Sequence, residues 1–299
     1  RCCVKYLNPP LTSIFILLVS FLAQSQSIEK QLDIAYKNSS NELLKEFFLK
    51  WENDVKPLSK EEENILNDTL KQVYNAYIEF YNPNRIKKLG GSEFGNNIYK
   101  NVKYYVVQNR LKIFYTDKIY YSKKEIEEYI PLRVAQSKLS DSAKQNLLKR
   151  NNGNLADRVF ERYNPNNIRF ENLKFIKRDS ILDFRPSINI KNKKIVFLNN
   201  NYEKEISNFL SDSTNIKILI NDEKENRKKF IENYIKIYDG HWGRYWQLTT
   251  YPEVYTIIFD KKMNYAKFYF RMIYQGGEAI LKNENGKWKL IESRLTWIE

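Results

Sequence analysis

The C-terminal third of the chain carries the pattern that most restricts its fold, because apolar and polar residues alternate there between tight-turn residues. Across residues 265–275 the even positions are Ala, Phe, Phe, Met and Tyr, and the odd positions are mostly polar. This period of two predicts a β-strand with two different faces. Gly276 and Gly277 are expected to bend or bulge the strand. Asn285-Gly286 predicts a hairpin that pairs residues 279–281 with residues 288–297.

Helical periodicity dominates two other parts of the chain. Apolar residues recur every three or four positions before and after Pro57, and Ser59 with Glu62 forms a capping box, which together predict a helical hairpin. A further helix is expected over residues 222–240, closed by Gly240. Strands are expected at residues 102–107 and 111–115 as a hairpin, and at 194–198, 216–220 and 254–259.

These elements predict an α+β fold: a helical hairpin with antiparallel strands, followed by a C-terminal helix packed on a curved antiparallel sheet. The polar turn near Ser213 suggests the division of the mature chain. We expect an N-terminal α/β region over residues 26–213 and a C-terminal domain over residues 214–299.

The segment "YAKFYFRMIYQGGEAILKNENGKWKLIESRLTWIE" resembles the last strands of NTF2-like domains, in which a curved sheet wraps a helix around a pocket. The resemblance covers roughly the last 75–85 residues and implies an NTF2-like or cystatin-like arrangement. Through phrases such as "YYVVQN" and "DFRPSINI", the whole chain also resembles uncharacterised exported proteins of Bacteroidetes-type bacteria. Neither resemblance implies a particular activity, since one fold hosts many functions.

The N-terminus predicts export. Arg1 and Lys5 precede an apolar run over residues 11–23, and Ala23-Gln24-Ser25 provides small residues at the two positions that signal peptidase reads. We therefore expect residues 1–25 to be a cleaved signal peptide and the mature protein to be periplasmic or extracellular, without a transmembrane segment. Cleavage removes both cysteines, which excludes disulfides, thiol nucleophiles and thiolate metal sites.

The chain is strongly basic, with a net charge of +14 that falls by two when Arg1 and Lys5 are removed. Such an excess favours anionic partners, here an anionic glycan, an acidic small molecule or an acidic protein. Both signs of charge are interspersed along the sequence, which is typical of a solvated surface and argues against nucleic acid as the partner.

The segment "GHWGRYWQLTTYP" contains the only histidine, His241, and a cluster of aromatic residues. Flat aromatic rings with polar edges stack well on sugars, and an arginine adds an anion contact. Packing in the core or at its rim is the alternative for the same rings. The ligand-binding candidates are Trp242, Arg244, Tyr245, Trp246 and Tyr251, with Arg271 and Arg294 from the strands that follow.

Catalytic candidates are few. His241 would need an orienting partner and a substrate proton within reach, and the sequence shows neither. Glu278 and Glu292 lie on strands expected to be neighbours, where two carboxylates beside Arg271 and Arg294 would form either an acid/base site or a cross-strand ladder of ion pairs. One histidine and no mature cysteine leave the usual zinc ligand sets incomplete, and no phosphate-binding or dinucleotide motif is present, so we expect no metal and no cofactor.

The sequence favours a non-catalytic protein that binds a ligand or partner at the cell envelope. Two alternatives remain open. One is an NTF2-like hydrolase or isomerase that uses carboxylates in a C-terminal pocket, and the other is an inhibitor or immunity-type interaction protein.

Overall fold

The computed structural model describes residues 30–90, 98–119, 138–149, 175–211, 220–240 and 246–298. They form an α+β fold, as the sequence predicts. The helices are α1 (Gln31–Lys37), α2 (Asn41–Asp54), α3 (Lys60–Ile65), α4 (Asp68–Phe80), α5 (Asp141–Lys149), α6 (Asn200–Ser211) and α7 (Ile220–Ile231), with a 3-10 helix at Pro83–Leu89. The strands are β1 (Tyr104–Gln108), β2 (Leu111–Thr116), β3 (Phe175–Ile181), β4 (Lys194–Leu198), β5 (Tyr238–Asp239), β6 (Trp246–Gln247), β7 (Glu253–Asp260), β8 (Tyr265–Met272), β9 (Gln275–Glu284) and β10 (Lys287–Ile298).

The chain forms two compact units that are interleaved along the sequence. The first unit takes residues 1–57, 99–109 and 189–250, and the second takes residues 58–98, 110–188 and 251–299. The sequence predicts a single boundary at residue 213, whereas each of these units is assembled from three separate segments. Periodicity identifies elements but carries no information on which distant segments pack together.

The first unit has an aromatic core between α2 and α6. Phe47, Phe48 and Trp51 lie on one face of α2, at the spacing of an amphipathic helix, and all are buried. The Trp51 indole stacks on Tyr202 with 4.9 Å between ring centroids, and its N–H donates to the carbonyl of Phe197 at 2.9 Å. Strands β1 and β4 pair in parallel beside them.

A buried arginine ties three helices of this unit together. Arg227 on α7 donates to Asp33 on α1, to Glu223 one turn earlier, and to the Phe209 carbonyl on α6. Its guanidinium also lies 5.1 Å from the ring centroids of both Tyr36 and Phe209. These three polar contacts join α1, α6 and α7 within the first unit, which gives the cluster a structural role.

The second unit is a six-stranded sheet with a helix on one face. The strand order is β10-β9-β8-β7-β2-β3, and every pair is antiparallel except β2 with β7. The apolar even-numbered residues of β8 are buried on the face that meets α4. There Phe80 stacks on Phe268 with 4.6 Å between centroids, and the Trp288 indole donates to Gln72 at 2.9 Å.

The helix on this sheet differs from the expected one. The helix predicted over residues 222–240 was expected against the C-terminal strands. It ends at Ile231 as α7 and belongs to the first unit, whereas α4 and the 3-10 helix contact these strands within the second unit. Local periodicity identifies each segment as helical but does not say which distant helix covers the sheet.

Two strand predictions are corrected. The predicted hairpin of residues 102–107 and 111–115 is wrong, because β1 pairs with β4 while β2 pairs with β3 and β7. The strand predicted over 265–275 ends at Met272 and turns at Ile273 and Tyr274, so the glycine pair lies inside β9. The turn comes earlier because Ile273 adopts a positive φ of 53°.

The Asn285-Gly286 hairpin is confirmed. Residues Glu284 and Lys287 pair across it, and both turn residues have positive φ values, 55° for Asn285 and 84° for Gly286. This is the backbone of a type I′ turn, whose twist matches that of the flanking strands.

Candidate functional site

Residues 241–245 of the aromatic segment lie outside the described residues. His241, Trp242, Arg244 and Tyr245 all fall in the undescribed stretch between β5 and β6.

Trp246 begins β6 in the first unit and pairs with Asp239 of β5. The Lys224 ammonium lies 4.1 Å from the centroid of its ring and also pairs with Asp239 at 3.1 Å. The half-buried indole is therefore partly covered by a cation from α7.

Tyr251 is fully buried at the start of the second unit, before a cis peptide bond to Pro252. Of the two interpretations that the sequence left open for this ring, its burial corresponds to core packing.

The four charged candidates of the C-terminal strands lie on one face of the six-stranded sheet. Tyr269 on β8 pairs with Glu278 on β9, which pairs with Arg294 on β10. Arg271 and Glu292 occupy the neighbouring rows of the same face. This face is opposite to the one that α4 covers, as the alternation along β8 requires.

Glu278 is the centre of a partly buried ion cluster. Its Oε2 atom lies 2.9 Å from Lys267 Nζ, and its Oε1 atom accepts from both Nε, at 2.6 Å, and Nη2 of Arg294. Lys267 is 2% exposed and Glu278 is buried, whereas the Arg294 side chain is 37% exposed. The Glu278 carboxylate therefore connects a buried ammonium group to a solvent-accessible guanidinium group.

Burial lowers the pKa of Lys267, and the carboxylate of Glu278 offsets part of that effect. An acidic partner in such surroundings favours the charged form of the lysine. The cluster corresponds to the cross-strand ladder that the sequence left open, extended inward by a lysine.

Trp297 lies across the same face, one row away from Arg294. It pairs with Gly276, and a Cβ atom at that glycine would overlap Cε2 and Cζ2 of the indole. The indole thus packs directly on the backbone of Gly276, in the space that a side chain would occupy. This is the arrangement in which an aromatic ring covers a glycine on a neighbouring strand.

Arg271 and Tyr255 complete this arrangement. The Arg271 guanidinium lies 5.8 Å from the Trp297 ring centroid, within the range of a cation–π contact. Tyr255 on β7 accepts a hydrogen bond from the indole. Burial raises the pKa of the Tyr255 phenol, the indole bond opposes that shift, and the charge of Glu278 adds to it.

The rings of this group remain accessible to solvent. Trp297 is 37% exposed and Tyr255 is 43% exposed. We call Tyr255, Arg271, Arg294 and Trp297 the aromatic–arginine platform. Exposed rings bordered by guanidinium groups suit a ligand that has an apolar face and a negative charge.

Catalytic chemistry has less support on this face. Both carboxylate oxygens of Glu278 are engaged by cations, and Glu292 lies in the neighbouring row. Across the described ranges, no group of three or more His, Cys, Asp or Glu residues is placed to hold a metal ion. Helices of the described part include none with the length and apolar content needed to span a bilayer.

Sequence reasoning missed Lys267, Tyr255 and Trp297 as site residues. The Asn285-Gly286 turn alone would place Leu295 opposite Gly276 and Ser293 opposite Glu278. Bulges between Leu290 and Glu292 and between Leu295 and Trp297 shift the register by two residues in all. Because a one-residue shift moves side chains to the other face, the bulges decide which residues form the platform.

Comparison with family models, with curated proteins and with solved structures finds no match to this chain.

Proposed function

We propose that this is an exported, non-catalytic binding protein of the cell envelope whose ligand is an anionic glycan, held on the aromatic–arginine platform. The observation that carries the proposal is the exposed Trp297 indole, fixed on Gly276 with Arg271 against it and Tyr255 bonded to it. A ring held by neighbours on three strands loses little conformational freedom when it stacks on a sugar.

The charge of the chain supports an anionic ligand. The sequence carries 50 Lys and Arg residues against 36 Asp and Glu. A positive excess of this kind attracts anions and raises their rate of encounter at low salt. Arg271 and Arg294 place two guanidinium groups beside the exposed rings, where a carboxylate or sulfate of a stacked sugar is matched by planar donors.

The export part of the proposal rests on the N-terminal sequence. A basic start, an apolar run over residues 11–23 and a small-x-small cleavage pattern direct a chain to the secretory route.

The test is binding of defined oligosaccharides by isothermal titration calorimetry. The panel is an oligogalacturonate, a heparin oligosaccharide and a neutral maltooligosaccharide of equal length. We expect the wild-type protein to bind at least one charged member more tightly than the neutral one, with an affinity that falls as salt screens the exposed guanidinium groups. Trp297→Ala should weaken binding at least tenfold.

Two control variants locate the site. Arg178→Gln removes an exposed arginine from β3 of the same sheet and should leave the affinity unchanged. Trp246→Ala removes the described tryptophan of the aromatic segment, and a loss of binding there, with Trp297→Ala unaffected, would move the site to that segment. Failure of the wild-type protein to bind any member of the panel would overturn the proposal.

A further inference from the structure

We infer that Lys267 and Glu278 form a positioning pair that presets the Arg294 guanidinium for the charged group of the ligand. The inference rests on the proposed function and adds the residues that determine its selectivity for charged over neutral glycans. Neither Lys267 nor Glu278 needs to touch the ligand.

The geometry describes a chain of contacts from the interior to the surface. Lys267 Nζ holds one carboxylate oxygen of Glu278 at 2.9 Å, and the other oxygen accepts from Nε and Nη2 of Arg294. Two hydrogen bonds to one oxygen fix the orientation of the guanidinium plane. The Arg294 side chain is still 37% exposed, so the held group is accessible to a ligand.

The Arg294 guanidinium lies close to the Trp297 indole of the platform. Glu278 and Gly276 are two residues apart on β9 and therefore share a face, about 7 Å apart at the rise of a strand. Arg294 lies beside Glu278 and Trp297 lies over Gly276. A sugar stacked on the indole has its substituents within reach of Arg294.

Stability is a poor explanation for the buried pair. Removing an ammonium and a carboxylate from water carries a large desolvation cost, and replacing such a pair by apolar residues of similar size is often neutral or stabilising. Preorganisation is a better one, because an arginine that is already oriented loses less rotamer entropy on binding.

The test compares affinities for the oligogalacturonate and the neutral maltooligosaccharide in Lys267→Met/Glu278→Leu, with thermal unfolding measured alongside. We expect a melting temperature equal to or above that of the wild type. The ratio of charged to neutral affinity should fall about tenfold, because Arg294 loses its orientation. Trp297→Ala should weaken both affinities and leave their ratio nearly unchanged. A general structural disturbance of the platform would have the same effect, so a fall in the ratio indicates that Arg294 has lost its orientation.

Two further variants secure the result. Arg294→Gln should lower the ratio to the same extent, and combining it with Lys267→Met/Glu278→Leu should add nothing further. Glu278→Gln leaves Lys267 buried without its anionic partner and should be less stable. If the double variant fails to fold, the ratio measured for Glu278→Gln below its melting temperature replaces it.

The outcomes separate the two proposals. A folded double variant with the wild-type ratio overturns the positioning pair and leaves the glycan-binding proposal standing. A wild-type protein that binds no member of the panel overturns both.

Discussion

At the scale of single residues, position 276 under Trp297 is the one that most strictly requires glycine. No side chain fits at Gly276, because the indole occupies the space that a Cβ atom would need. From the sequence, the glycine pair predicts a bend in the strand. In the structure, Gly276 provides the space in which the Trp297 ring of the next strand packs.

We predict that Gly276→Ala displaces the indole and destabilises the protein by about 1–3 kcal/mol, the usual cost of overpacking. Tryptophan fluorescence should report the displacement and chemical denaturation the loss of stability. In Trp297→Ala the same glycine substitution should cost much less, and equal costs in the two backgrounds would contradict the packing described here.

Buried phenols give the protein a predicted alkaline limit. Burial raises the pKa of Tyr238 to about 12, with a further contribution from the charge of Glu232. Burial also raises the pKa values of Tyr104 and Tyr202, which donate hydrogen bonds to Glu52 and Asp54. The folded state thus keeps phenolic protons that the unfolded chain releases above about pH 10.

The unfolded state binds fewer protons in that range, so the stability contributed by these groups is complete below about pH 10 and is lost as pH rises through the folded-state values. We expect the free energy of unfolding to fall from about pH 10 upward, with Tyr238→Phe falling less steeply. Denaturant titrations across this range, read beside the ultraviolet tyrosinate band, check it. Complete tyrosine ionisation without loss of structure would contradict it.

At the scale of elements, one helix cap was predictable because its chemistry is local. The capping box of Ser59 and Glu62 is present, and the Ser59 backbone N–H and the Arg185 guanidinium both lower the pKa of Glu62. A second cap was not anticipated: Asn67 accepts from the Leu70 N–H at 2.9 Å and divides the expected long helix into α3 and α4.

We predict that the two caps differ in their global effect. Asn67→Ala should lower the free energy of unfolding by about 0.5–2 kcal/mol, because α4 buries five residues against the rest of its unit. Ser59→Ala should act locally, since α3 buries none. Hydrogen exchange should show faster opening of α3 with little change in global stability, and a global loss in Ser59→Ala as large as that in Asn67→Ala would contradict this.

At the scale of the whole molecule, the interleaving of the two units determines which pieces can fold. The six-stranded sheet takes β2 and β3 from the middle of the chain, and its covering helix α4 comes from residues well before them. The C-terminal strands alone would expose the apolar face that Phe80 and its neighbours cover.

We predict that residues 214–299 expressed alone do not form a stable domain. The fragment lacks α4, β2 and β3, so circular dichroism and proton chemical-shift dispersion should show incomplete folding, with dye binding to the exposed apolar face. Full-length protein provides the comparison. A cooperative thermal transition in the fragment would show instead that the sheet folds without its distant partners.

Local sequence by itself determined the α+β class, the capping box of Ser59 and Glu62, the alternation of β8 and the type I′ turn at Asn285-Gly286, because each depends on residues close together in the chain. Only the tertiary structure decided that α4 covers the sheet, that β2 joins β7 in parallel, and that two bulges bring Trp297 onto Gly276 and Arg294 onto Glu278. Those choices depend on packing between segments tens to hundreds of residues apart, and one-residue shifts in register leave no trace in periodicity.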